Sequence, residues 1–150
     1  MSNETQQDLS HKDLYYVAVK LFLRDGHKLL ITPDIYGSWD LPGGRLIKSE
    51  FSSPLEAVIK RKISEELGDK VRYELGAPKT FFRVERMEAG LNKRVRIFGL
   101  GYEAAYKGGE IKLWQHHDQM QWVDIRQFKP EDYFTTGWLE GVQDYLAKCL

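Results

Sequence analysis

The segment running from Gly43 to Asp69, GGRLIKSEFSSPLEAVIKRKISEELGD, constrains this chain more than any other. Its paired glycines follow Leu41-Pro42, end any strand and open a loop. Ser53-Pro54 then reads as a helix start, with a side-chain oxygen for capping, a proline at the first turn and Glu56 favourable to that end of the helix dipole. Leu55, Ile59, Ile63 and Leu67 recur every four residues and predict one buried stripe, and Gly68 is placed to stop the helix. The same helix carries Arg61 and the adjacent carboxylates Glu65 and Glu66. A glycine loop feeding a helix with neighbouring carboxylates suits a hard divalent ion such as Mg2+, which takes oxygen ligands and keeps positions for water and substrate phosphates. The implied substrate is anionic.

Strand signals surround this segment. LYYVAVKLFL from Leu14, a turn at Asp25-Gly26 and KLLIT predict a β-hairpin, and Pro33, Asp34, Gly37 and Ser38 mark a loop before Trp39. Downstream, TFFRVER, VRIFGLGYEAAY, IKLW and MQWVDI read as strands, with a polar break at Lys129-Pro130. Trp138, Val142, Tyr145 and Leu146 have helical spacing and predict a C-terminal helix packed on the sheet. Residues 1–12 are polar and aperiodic and read as a flexible arm, leaving 13–150 as one domain.

Bulk properties narrow the partners. Lys plus Arg and Asp plus Glu both number 22, so no global field recruits nucleic acid or an anionic membrane, and phosphate recognition must be local. The single cysteine, Cys149, can neither staple the fold nor complete a zinc site. With no stretch near the roughly 20 apolar residues of a membrane span, and no apolar core in the start MSNETQQDLSHKD, the expected location is the cytoplasm.

The segment resembles the signature of the Nudix family, Gx5Ex7REUxEExGU with U a bulky apolar residue: Gly44, Glu50, Arg61, Ile63, Glu65, Glu66 and Gly68 match. The resemblance implies an α/β/α sandwich around a mixed β-sheet, a Mg2+-dependent (or Mn2+-dependent) hydrolase, and a small nucleoside diphosphate derivative as substrate, with a homodimer common in the family. It also implies metal ligation by the Gly43 carbonyl and by Glu50, Glu65 and Glu66, with Arg61 orienting a neighbouring carboxylate.

Two departures qualify the catalytic expectation. Ten residues rather than seven separate Glu50 from Arg61, with the excess in Phe51-Ser52-Ser53-Pro54, where a longer loop absorbs it at modest entropic cost. Lys62 stands where the family's first helical glutamate belongs; at about 100° per residue it projects between Glu65 and Glu66, three and four positions ahead of them. There it repels a metal, pairs with a glutamate or holds a phosphate. The GDP-mannose hydrolase branch of the family has a similarly depleted box after GGR, and His116-His117-Asp118 before Trp122 resembles a stretch of that branch. On that likeness His117 is a candidate general base. The competing expectation is a Nudix domain that binds a nucleotide or sugar nucleotide and regulates a partner.

Other residues carry weaker expectations. Glu85, Glu88 and Glu103 are possible stand-ins for the missing carboxylate. Tyr16, Phe22, Trp39, Phe82, Phe98 and Trp122 read first as core and second as base-stacking surfaces. Arg83, Arg86, Lys93, Arg94 and Arg96 form a basic stretch suited to phosphates.

Overall fold

In the computed structural model, which describes residues 9–112 and 119–149, the chain folds around β1 (Tyr16–Asp25), buried from Ala18 to Leu23. A strand covered on both faces must be apolar on both phases, and VAVKLFL meets this except at Lys20. Val19, Leu21 and Leu23 face one side, where they meet α1 (Leu55–Leu67) through Val58, Ile59, Ile63 and Leu67. Phe22 faces the other, where α2 (Thr136–Cys149) covers it with Val142, Tyr145 and Leu146. The result is the expected α/β/α sandwich around a mixed sheet.

The remaining strands are β2 (Lys28–Pro33), β3 (Trp39–Asp40), β4 (Gly43–Arg45), β5 (Tyr73–Glu88), β6 (Lys93–Tyr106) and β7 (Gln121–Asp124). The main order is β3-β2-β1-β6-β5, with β4 paired to β1 and β7 to β2. β1 and β6 run parallel, in register from Tyr16 beside Ile97 to Arg24 beside Ala105. The opposite edge of β1 is shared: its early residues Ala18 to Lys20 pair with β4, whereas Arg24 and Asp25 pair with β2. The sheet therefore parts beside Lys20, and the glycine loop enters at that gap.

Packing rather than propensity fixes α1, since its β-branched stripe favours burial over isolated helix formation. Burying Ile59, Ile63 and Leu67 almost completely contributes about 1.5–3 kcal/mol each. Leu55 is only partly buried, and Gly68 ends the helix with φ at 90° and its N–H on the Ser64 carbonyl. The expected Ser53 cap is not made. A 3-10 turn at Lys48–Glu50 takes the Ser53 N–H onto the Glu50 carbonyl, and Pro54 becomes the N-cap, its carbonyl accepting from Ala57 and Val58.

β5 begins at Tyr73, seven residues before the expected TFFRVER strand, because a register irregularity around Pro78 lets the β5–β6 hairpin continue past the proline. Ile111 and Lys112, expected in a strand, are not in one: the Lys112 N–H goes to the Leu67 carbonyl at the end of α1. The rest of that expected strand, Leu113 and Trp114, lies outside the described residues, as do residues 1–8 of the expected arm. No helix among the described residues is long and apolar enough to cross a membrane.

The far side of the core is locked by Tyr145, which is fully buried, stacks on Phe22 at 4.0 Å between centroids, donates to Glu103 at 2.6 Å and accepts from Arg24 at 3.0 Å. Tyr145→Phe keeps the stack and strands two half-buried charged partners. It is expected to lower unfolding free energy in a urea titration by about 1–3 kcal/mol, with little change in the slope against urea.

Candidate functional site

The site forms where β4 and α1 meet beside β1. Leu21 N–H to the Pro42 carbonyl and Leu46 N–H to the Val17 carbonyl flank Gly43 in the β1–β4 ladder, so Gly43 falls at a position whose own N–H and C=O turn away from β1. Its N–H donates to Glu66 Oε2 at 2.9 Å and ties the glycine loop to the helix. Only glycine fits: φ is 139°, and a Cβ would lie 2.0 Å from the Val19 carbonyl oxygen.

Glu66 is the inner carboxylate. Burial pushes its pKa above the usual range, and the charge of Lys20 and the Gly43 amide only partly offset this. Glu65 is the outer one, half exposed. Burial acts to raise its pKa too, but hydrogen bonds from Lys62 at 3.2 Å and Arg61 at 3.1 Å prevail and hold it below the usual range. Arg61 also grips Glu50 with a fork, Nε to Oε2 at 2.6 Å and Nη2 to Oε1 at 2.7 Å, and the Ile47 N–H adds a third bond to Oε1. The fork and the Ile47 amide keep the Glu50 carboxyl well below its ordinary range. Glu50, expected among the metal ligands, thus has both oxygens engaged by Arg61 and orders that arginine. Phe51, at the start of the inserted residues, is 94% exposed, so the extra loop bulges outward.

Lys62 does not point midway between the two glutamates. Its Nζ sits on Glu65, and its end lies across Gly44, where a Cβ would come within 2.2 Å of Cε. A second lysine was not singled out from the sequence. Lys20, 6% exposed, pairs with Asp40 at 3.0 Å, donates to the Leu41 carbonyl at 3.3 Å and lies 4.9 Å from the Trp138 ring centroid. Strand alternation did hold the signal, since it places Lys20 on the same buried phase as Ala18 and Phe22.

Arg45, next in the loop, forks onto Glu88 and lies 4.8 Å from the Tyr16 ring centroid, so of the three downstream glutamates Glu88 is the one linked to the box. Glu103 is spent on Tyr145 on the α2 side, and Glu85 pairs with Arg94 and Arg96. Arg96 also pairs with Asp13, so these two arginines of the basic stretch have carboxylate partners of their own. Arg86 lies 5.3 Å from the Tyr36 ring centroid. Of the six aromatics expected in the core, Phe22 and Phe82 are buried there, Trp39 and Trp122 pack partly buried against it, Phe98 sits partly buried edge-on to Tyr15, and Tyr16 is exposed beneath Arg45. His116 and His117 lie outside the described residues.

No group of three His, Cys, Asp or Glu side chains suited to a metal occurs among the described residues. The acidic donors are Glu65 and Glu66, and the outward-turned Gly43 carbonyl adds a backbone oxygen. Both Glu65 oxygens rest on Arg61 and Lys62 in this state, so a hard cation here would take Glu66, the Gly43 carbonyl and, once Lys62 lets go, Glu65, with water or phosphate completing its shell.

Because the Glu66 pKa is raised on folding, the native state binds the extra proton and stability falls as pH climbs from the unfolded value, about 4.3, through the folded one. Glu66→Gln keeps an acceptor for the Gly43 amide and removes the buried charge. In metal-free buffer it is expected to raise the melting temperature at pH 7.5 and to leave it unchanged near pH 3.5, read by thermal denaturation at both pH values.

A family model described as the NUDIX domain matches residues 14–139. No curated protein matches. Among solved structures, a MutT protein from Methanosarcina mazei Go1 superposes with a TM-score of 0.67 at 19% identity, covering 91% of this chain and 94% of its own. An ADP-ribose pyrophosphatase from Streptococcus suis 89-1591 gives 0.60 at 12% identity, with 91% and 92% covered. A UDP-X diphosphatase gives 0.60 at 16%, covering all of this chain and 73% of its own. At such identities the structures share the fold alone, whereas the matched domain spans most of the sequence together with its glycine loop and acidic helix: the chain belongs to the Nudix family.

Proposed function

We propose that this Nudix domain is a hydrolase of a nucleoside diphosphate linked to another moiety, a nucleotide sugar being one such substrate, and that it works with one bound Mg2+ or Mn2+. The observation that carries the reading is the Gly43 amide on Glu66, which brings the glycine loop and the inner carboxylate to one point beside Glu65. An ADP-ribose pyrophosphatase and a UDP-X diphosphatase among proteins of this fold support the substrate class.

The Gly43 carbonyl, Glu65 and Glu66 would hold the ion, which supplies charge neutralisation of the diphosphate and a lowered pKa for bound water. Glu66 is held in place by the Gly43 N–H on Oε2, which aims its carboxylate at the ion. Arg61, anchored by Glu50, fixes the outer carboxylate through Glu65 Oε1. Lys20 and Asp40 form a preset ion pair under the loop, so the cradle is ordered before substrate arrives.

The Lys62–Glu65 pair favours a second reading, in which the domain binds a nucleotide or sugar nucleotide without turning it over and regulates a partner. A panel of nucleoside diphosphate derivatives, including ADP-ribose and GDP-mannose, assayed with Mg2+ separates the two. The hydrolase predicts turnover that EDTA abolishes and that Glu66→Gln lowers by about 100-fold or more in kcat. Tight binding with no turnover across the panel sinks it in favour of the binding module. Reaction in 18O-labelled water then assigns the bond: label in the nucleotide or phosphate product means attack at phosphorus, label in the sugar means attack at carbon.

A further inference from the structure

Three cations belong to the acidic cluster of Glu50, Glu65 and Glu66, and they differ in what they have left to give. Arg61 is engaged by Glu50 and Glu65. Lys20 is buried and held by Asp40, the Leu41 carbonyl and the Trp138 ring. Lys62 has a single hydrogen-bond acceptor among the described residues, Glu65 Oε2 at 3.2 Å, so two of its three ammonium donors stay open. Its side chain is 21% exposed and lies over Gly44, so it is confined to the mouth of the loop and still reachable from solvent.

We propose that Lys62 is a phosphate-binding residue, whose tethered ammonium contacts the substrate diphosphate directly in the place where the family's glutamate would recruit a further metal ion. The identity of the anion rests on the hydrolase reading above; the contact itself rests on the placement of Lys62. Charge supports it. Asp40, Glu50, Glu65 and Glu66 face Lys20, Arg61 and Lys62, four carboxylates against three cations. A glutamate at 62 would make it five against two, a cluster that repels a diphosphate until metal arrives. With lysine the residual charge is one negative, and an ammonium is already aimed at the approach.

Neighbouring residues explain how the substitution is accommodated. Gly44 leaves the room that Lys62 Cε fills, so the lysine lies flat over the loop instead of displacing it. Glu65 splits its oxygens between Arg61 and Lys62, so it keeps Lys62 extended at modest energy. A half-exposed pair of this kind contributes little, because water screens it and two long side chains must be held still. A phosphate with two or three negative oxygens therefore outcompetes it readily, and Glu65 is released for the metal as Lys62 moves to the phosphate.

The test is calorimetric titration of the intact protein with inorganic pyrophosphate in EDTA, where no metal bridges anion and carboxylates. Wild type is expected to bind, Lys62→Met to lose at least about 10-fold in affinity, and Lys62→Arg to stay within a few-fold of wild type. Mn2+ titration followed by electron paramagnetic resonance is expected to find one ion per chain in wild type and a second in Lys62→Glu. Absence of metal-free binding by wild type overturns the proposal, as does a Lys62→Met protein of unchanged melting temperature that binds pyrophosphate as well as wild type. The two readings fail separately. Protein that hydrolyses nothing in the panel but binds pyrophosphate through Lys62 refutes the hydrolase and keeps this contact, whereas active protein whose pyrophosphate binding ignores Lys62 does the reverse.

Discussion

Everything in this fold is hung on β1, which has β6 along one edge, β4 and β2 along the other, and a helix on each face. The parallel ladder to β6 fixes its position along the sheet. Its alternating side chains then dictate which face receives α1 and which receives α2. Since one edge passes from β4 to β2 partway along, the backbone cannot present a continuous ladder there. A backbone gap must be filled by groups that satisfy hydrogen bonds without closing the sheet, and here the Gly43 amide, Glu66, Lys20 and Asp40 fill it. The site is in this sense a by-product of the sheet topology, at the point where polar groups are tolerated inside a dry core.

The site also shows how a charge cluster inside a protein is made bearable. Lys20 and Asp40 are partly withdrawn from water as a pair, with an aromatic face and a carbonyl completing the ammonium shell. Among the described residues Glu66 has no such direct cationic partner and relies on a backbone amide plus more distant charges, and burial raises its proton affinity while those of Glu50 and Glu65 fall. Three glutamates of one motif are thereby given three environments. Arg61 decides that of Glu50, Lys62 and Arg61 together that of Glu65, and burial that of Glu66.

Much of this was legible in the sequence, for definite reasons. The four-residue repeat of α1 and its terminating Gly68 are local signals, and so are the first hairpin and the C-terminal stripe, all of which appear as elements of the structure. Ser53, Pro54 and Glu56 together mark the helix start to within a residue, but the N-cap is Pro54 because the Ser53 N–H belongs to the 3-10 turn before it. The length of β5 was hidden by Pro78, which an edge strand tolerates and a central one does not. The pairing of Glu50 with Arg61 depends on a distance between separate segments, which spacing cannot supply; helical spacing offers Lys62 either glutamate, and the docking of Glu66 on the Gly43 amide leaves it Glu65. Lys20 is the instructive omission: a charged residue on the core phase of an otherwise apolar strand marks a buried ion pair, and its partner Asp40 lies in β3, just ahead of the motif.

The inserted residues after Glu50 have one more implication. Phe51 and its neighbours swing into solvent, while Glu50 itself is clasped to the Ile47 amide on one side and to Arg61 on the other. The helix is thus docked on the glycine loop by side-chain clasps, and the connecting chain behaves as slack rather than as a tether. Loop length and site geometry become independent variables. A lineage can lengthen, shorten or decorate that connection to meet different substrates at the rim without renegotiating where the carboxylates stand.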